Sequence, residues 1–285
     1  MTMSQVALMN QASLMPFGNG MVARTMPGGG DKVLWIHGYT MDSSTWHDVW
    51  QQLPGWHHIG IDLPGHGASA PLTDYRTVVD MARSIGVLAI EQGIQHIVGL
   101  SFGGMVAVQI AIEYPHTFAS FTLGSPSLIG GPGEPYTRRL YRNLGILYAE
   151  RGPGPWMTEL WMQWPPDIFK GAAAHPALRQ QLADVINKHT WQELHGATMG
   201  RLIGATPPQT VAMLQDITTT TLILIGDAEM PAFKLTAAII QSAIPNSECI
   251  TVPGAGHLCI LEAPTITGPR IDAHLRSHRT VTNSI

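Results

Sequence analysis

The sequence predicts an α/β protein with a mostly parallel central sheet and helices on both faces. Two observations carry this expectation. First, short apolar runs alternate with segments of helical periodicity. Strands separated by helices call for right-handed crossovers within a parallel sheet. Second, the alternation stops at residues 126–208 and then resumes. That interruption is helical in patches, broken by Gly and Pro, and carries Trp156, Trp161, Trp164 and Trp191. It reads as a helical cap inserted after the sixth core strand.

The elements follow in order. Residues 1–20 are rich in Met, Gln, Ser and Asn and read as a loose arm or short edge strand. A short strand over 21–26 is closed by Pro27 and three glycines. Residues 32–36 form a buried strand, 44–53 a helix and 58–61 a strand. Val79, Met81, Ala82, Ile85, Leu88 and Ala89 share one face of a helix over 77–92, which Gly93 ends as a C-cap. A strand over 95–100, a helix over 102–114 ended by Pro115, and a strand over 119–123 complete the first part. After the cap come a helix (209–215), a strand (220–225), a helix (232–244), a strand (248–252) and a final helix (about 264–277). The core is thus expected at 21–125 and 209–285.

Composition narrows the function. Of 285 residues, 45% are hydrophobic and only 13% charged, so the chain folds around a large core. The net charge is −4 with no Lys/Arg run, which offers nothing to nucleic acid or an anionic membrane. Cys249 and Cys259 make no disulfide framework, and neither lies in a metal-ligand spacing. No metal or cofactor is expected. The first cationic side chain is Arg24, so no secretory signal is expected. No apolar stretch approaches the ~20 residues of a membrane span. A cytoplasmic enzyme acting on a small molecule is the expectation.

The chemistry centres on Gly99-Leu100-Ser101-Phe102-Gly103, between an apolar run and a helix-forming stretch. Strand, sharp Gly-x-Ser-x-Gly turn and helix is the setting in which a serine is held exposed at a strained bend. Its glycines keep side chains out of the neighbouring strand and helix. Serine needs a base, and the base needs an orienting group. His257 follows the last strand, where a parallel sheet gathers its functional loops. Two carboxylates, Asp227 and Glu229, follow the strand over 220–225; one orients the base and the other caps the loop. Chain order Ser, acid, His is that of the hydrolase arrangement. The developing oxyanion needs donors: the backbone N–H of Phe102, and that of Tyr39 in the loop His37-Gly38-Tyr39-Thr40, where Gly38 admits close approach.

These motifs in this order resemble the α/β-hydrolase superfamily, from about residue 21 to 278. His37-Gly38 matches the family's oxyanion loop, residues 62–69 its turn after the following strand, residues 99–104 its nucleophile turn, and residues 254–257 its histidine loop. The resemblance implies a structural role for His66. It also implies an acid three residues after Gly226, which favours Glu229 over Asp227. A serine nucleophile excludes the branches that use aspartate, the haloalkane dehalogenases and epoxide hydrolases. The expected activity is that of an esterase- or thioesterase-like serine hydrolase. It would cleave an ester, thioester or lactone with a hydrophobic acyl or alkyl part through an acyl-enzyme. Trp156, Trp161 and Trp164, with His37 and Gly38, are candidate substrate contacts. Two alternatives remain: C–C hydrolysis, lyase or acyl-transfer chemistry with the same triad, and a hydrolase-fold ligand receptor that turns over slowly.

Overall fold

The computed structural model describes residues 14–72 and 75–278; residues 1–13 of the expected arm lie outside them. The strand Lys32–Ile36 (β3) shows why a sheet forms here. Val33, Leu34, Trp35 and Ile36 are all fully buried, and burying each such side chain contributes about 1.5–3 kcal/mol. A strand covered on both faces belongs in the middle of a sheet flanked by helices. Around it lie β1 (Met15–Gly18), β2 (Met21–Met26), β4 (His57–Ile61), β5 (Ile94–Leu100), β6 (Ser120–Gly124), β7 (Thr220–Gly226) and β8 (Ser247–Val252). Among the described residues these eight form one sheet in the order β1-β2-β4-β3-β5-β6-β7-β8. The β1–β2 and β2–β4 pairs are antiparallel and the rest parallel. The strand order reverses between β3 and β5. A crevice opens at such a switch point, so the loops after β3 and β5 meet there.

The helices are α1 (His47–Gln51), α2 (Val78–Glu91), α3 (Phe102–Glu113), α4 (Pro135–Arg151), α5 (Pro155–Trp161), α6 (Pro176–Ile186), α7 (Thr198–Ala205), α8 (Val211–Gln215), α9 (Pro231–Ala243), α10 (Cys259–Glu262) and α11 (Pro264–Ser277). Thr77 and Asp80 start α2 with a reciprocal capping box, and Gly93 follows its C-cap at φ 65°. Helix α3 is buried from Phe102 to Ala111, as a helix enclosed in the core must be. Helices α4, α5 and α6 each begin with proline in the first turn, where its missing N–H costs nothing.

The expected helix over 44–53 is instead a 3-10 turn, Ser43–Trp46, followed by α1. Asp62 holds the Ser43 N–H and Asp42 the Ser44 N–H, both at 2.8 Å, which tightens the first turn. Helix α8 starts two residues later than expected because Thr210 caps it and Gln209 is buried, bonded to the Ile129 N–H. Strands β4, β5, β7 and β8 are each one residue longer at one end than expected, and β6 is displaced by one residue. Among the described residues no helix is long and apolar enough to cross a membrane.

Candidate active site

Ser101 joins β5 to α3 at φ 56° and ψ −113°, a conformation costly for a residue with a Cβ. Its N–H donates to the Gly124 carbonyl at 2.8 Å, and its own carbonyl accepts the Met105 N–H at 3.0 Å. The flanking glycines leave no room. A Cβ on Gly99 would lie 2.4 Å from the Gly103 carbonyl oxygen, and one on Gly103 would lie 2.1 Å from that of Ile36. The turn is therefore wedged between the next strand and its own helix.

Three loops converge on this serine. His257, after β8, brings Nε2 to 2.8 Å from Ser101 Oγ. Glu229, after β7, brings its two carboxylate oxygens to 3.1 and 3.0 Å from His257 Nδ1. A carboxylate only accepts, so Nδ1 carries the proton and Nε2 is left to accept from Ser101. Burial pushes the Glu229 carboxyl up, but the His257 ring, the Ser125 hydroxyl and the Met230 N–H together hold it below the usual carboxylate range. Asp227 does something else: its Oδ2 accepts the Gly254 N–H at 3.0 Å, tying the loop after β7 to the loop after β8. The Phe233 ring packs edge-on against His257 with centroids 4.3 Å apart.

The third loop follows β3. A Cβ on Gly38 would stand 3.5 Å from Ser101 Cβ, so this backbone lies against the serine. Phe102 N–H opens α3, among the amides that a helix start leaves without an intrahelical acceptor. The Tyr39 hydroxyl donates to Glu193, and Trp161 Nε1 donates to Thr40 Oγ1 at 2.7 Å. The oxyanion-loop candidates are thus bound to the segment between β6 and β7. Glu193 is buried; burial pushes it up, yet His189 Nε2 at 3.0 Å and Tyr39 hold it below the usual range. Burial and Glu193 push the Tyr39 phenol well up.

A cavity of about 180 Å³ opens onto Ser101 and His257. Gly38, Tyr39 and Phe102 line it, with Tyr141, Trp161, Ile168, Met199 and Ile203 from between β6 and β7, and Phe233 from α9. None of its lining residues is Asp, Glu, Lys or Arg. Trp161 stands where a substrate contact was expected. Trp156 and Trp164 do not. Trp156 donates to the Gly152 carbonyl and stacks under Arg151, with the guanidinium 4.1 Å from its ring centroid. Trp164 is 50% exposed and lines a separate surface depression. His37 is also away from the cavity wall. It is wholly buried, its Nδ1–H donating to the Gly38 carbonyl at 2.8 Å and its Nε2 accepting the Leu63 N–H at 3.0 Å. Burial holds its pKa down, so it is a neutral strut beneath the loop. His66 is buried beside it, ring centroids 5.2 Å apart.

Tyr141, Ile168, Met199, Ile203, Phe233, Glu193 and Glu262 are not among the residues expected from the sequence. Glu262 alone left a signal, a single carboxylate inside the apolar run 258–263. Among the described residues no cluster of His, Cys, Asp or Glu is placed to hold a metal ion.

The fold and this convergence of loops are those of an α/β hydrolase. The Alpha/beta hydrolase family profile matches residues 33–267, and the chain belongs to that family. It is 26% identical over 241 residues to Lipase 1 of Psychrobacter immobilis, covering 82% of this chain and 73% of that one. It is 37% identical over 102 residues to the dihydrolipoyllysine-residue acetyltransferase component of the acetoin cleaving system of Cupriavidus necator, 35% of this chain and 27% of that one. Two of the curated relatives it matches are thus spanned over only 27% and 39% of their length. A thermophilic esterase from Thermogutta terrifontis superposes with a TM-score of 0.74 at 25% identity, over 91% of this chain and 95% of that one.

Proposed function

We propose that the protein is a serine hydrolase that cleaves a small, uncharged, hydrophobic ester, thioester or lactone through an acyl-enzyme. The observation that carries this reading is the Ser101–His257–Glu229 relay facing an apolar cavity without charged walls. Ser101 Oγ attacks the acyl carbonyl while His257 Nε2 takes its proton. Glu229 stabilises the imidazolium and fixes its tautomer. The oxyanion is held by the N–H groups of Phe102 and Tyr39. His257 then protonates the leaving alkoxide or thiolate; a water that gives its proton to His257 attacks the acyl-serine, and His257 returns that proton to the departing Ser101 Oγ, releasing the acid. Residues 126–208 act as the cap, supplying apolar walls and excluding water.

The cavity sets the scale of the acyl or alkyl part. An apolar cavity of about 150 Å³ holds a benzene ring. The space here, about 180 Å³, suits a group of that size and not a long acyl chain. A carboxylate on the substrate would lose its hydration with no cation to replace it. The experiment is a panel of p-nitrophenyl esters from acetate to laurate, with matched acyl-thioesters. Repeated turnover, highest at butyrate or hexanoate, is expected. A single slow turnover would favour a receptor, and a maximum at laurate would contradict the cavity argument.

A further inference from the structure

Glu262 has no part in the relay, yet its carboxylate is built into the loop that carries His257. It stands at the end of α10, and its residue is only 4% exposed. Oε2 accepts the Gly256 N–H and Oε1 accepts the Leu258 N–H at 3.1 Å. These are the backbone N–H groups of the residues before and after His257. The segment Gly171–Ala174 covers the carboxylate so closely that a Cβ on Gly171 would lie 2.1 Å from Oε2. A buried carboxylate is costly unless its oxygens are satisfied, and here both are satisfied by the histidine loop.

We propose that Glu262 is a positioning residue for His257. Its two bonds pin the Ala255–Gly256 and His257–Leu258 peptides, clamping the loop on both sides of the histidine, and so hold the ring between Ser101 and Glu229. Its negative charge joins that of Glu229 in favouring the imidazolium formed when Ser101 gives up its proton. The ionisable groups around it are His257 on the loop, Glu229 after β7 and Cys259 on α10. The covering segment Gly171–Ala174 brings none, and the adjacent Lys170 pairs with Asp167 at 2.9 Å. Burial, helped by Glu229, leaves the Glu262 carboxyl above the usual carboxylate range even though the two amides and His257 pull the other way. The inference rests on the hydrolase reading.

The test is Glu262→Gln, which keeps the shape, removes the charge and turns an amide NH2 toward one of two N–H donors. With p-nitrophenyl butyrate, kcat should fall about 10- to 100-fold while KM moves less than about threefold. The acid limb of kcat/KM should move to lower pH by about half a unit, because a nearby negative charge no longer favours the imidazolium. Glu262→Asp keeps the charge but cannot reach both amides; it should lose kcat and keep the acid limb. The 15N titration of the His257 ring reads the same shift without turnover. If the wild type hydrolyses no ester, the hydrolase reading fails, and this titration still decides the role of Glu262. An unmoved His257 titration in Glu262→Gln would overturn the proposal. If that variant does not fold, wild-type kcat in Glu262→Asp would overturn it.

Discussion

Glu229→Gln separates the two carboxylates that follow β7. The substitution is near-isosteric, so what it removes is charge. His257 Nδ1 lies 3.0 Å from the nearer carboxylate oxygen, in a buried pair. Opposite unit charges about 4 Å apart at an effective dielectric near 20 attract by about 4 kcal/mol. That attraction exists only when the imidazolium forms, so its loss falls on the chemical step. The Met230 N–H donates to Oε1 at 2.7 Å. It will keep the amide oxygen of glutamine on that side and turn the NH2 toward Nδ1, opposing the working tautomer. The glutamine oxygen retains part of the attraction, so the expected loss is at least 100-fold in kcat, or about 2.7 kcal/mol. Asp227→Asn is the control. Its amide oxygen can still accept the Gly254 N–H, so activity should stay within about twofold, the range of a substitution worth ~0.5 kcal/mol. Stopped-flow or steady-state hydrolysis of one short p-nitrophenyl ester measures both. The reverse ranking would place the orienting acid at Asp227 and refute the reading of this loop.

Other outcomes follow from the same geometry. Trp161→Ala should widen the cavity and move the preferred ester toward longer chains, whereas Trp156→Ala and Trp164→Ala should keep the wild-type profile; an unchanged profile in Trp161→Ala would make it packing only. Tyr39→Phe takes a donor from buried Glu193 and should cost about 1–3 kcal/mol in chemical denaturation; unchanged stability would show that the carboxylate is satisfied without it. His58 accepts from Trp35 Nε1 and donates to the Leu53 carbonyl, both at 3.0 Å, and burial pushes its pKa down to about 4. The unfolded chain therefore binds the extra proton first as pH falls. Stability from this group is complete above the unfolded pKa and is lost as pH falls from about 6.5 to 4, by at most about 3 kcal/mol. His58→Gln should flatten that part of the stability–pH curve, and an identical slope would contradict the assignment.

What was legible in the sequence was what local sterics and periodicity encode. Gly99 and Gly103, on either side of Ser101, advertise a turn with no room for a Cβ at either position. The helix Pro264–Ser277 stands where its pattern put it. Strand ends moved because hydrogen-bond register across the sheet, not propensity, decides where a strand stops. The helix expected over 44–53 was split because the aspartate that pins its start, Asp62, is remote in sequence. The tryptophans show the deeper limit. An aromatic in a cap pattern can face a cavity, stack on an arginine or face solvent, and Trp161, Trp156 and Trp164 do one each. Glu193 and Glu262 were opaque for the same reason: each draws its role from tertiary partners that spacing does not reveal.

The central claim is that Ser101 becomes acylated. The direct measurement is intact-protein and peptide mass spectrometry after brief exposure to a fluorophosphonate probe, with a p-nitrophenyl butyrate competitor. One adduct per chain is expected, located on Ser101, slowed by the competitor and absent from Ser101→Ala. An adduct elsewhere, or labelling of Ser101→Ala at the wild-type rate, would contradict it.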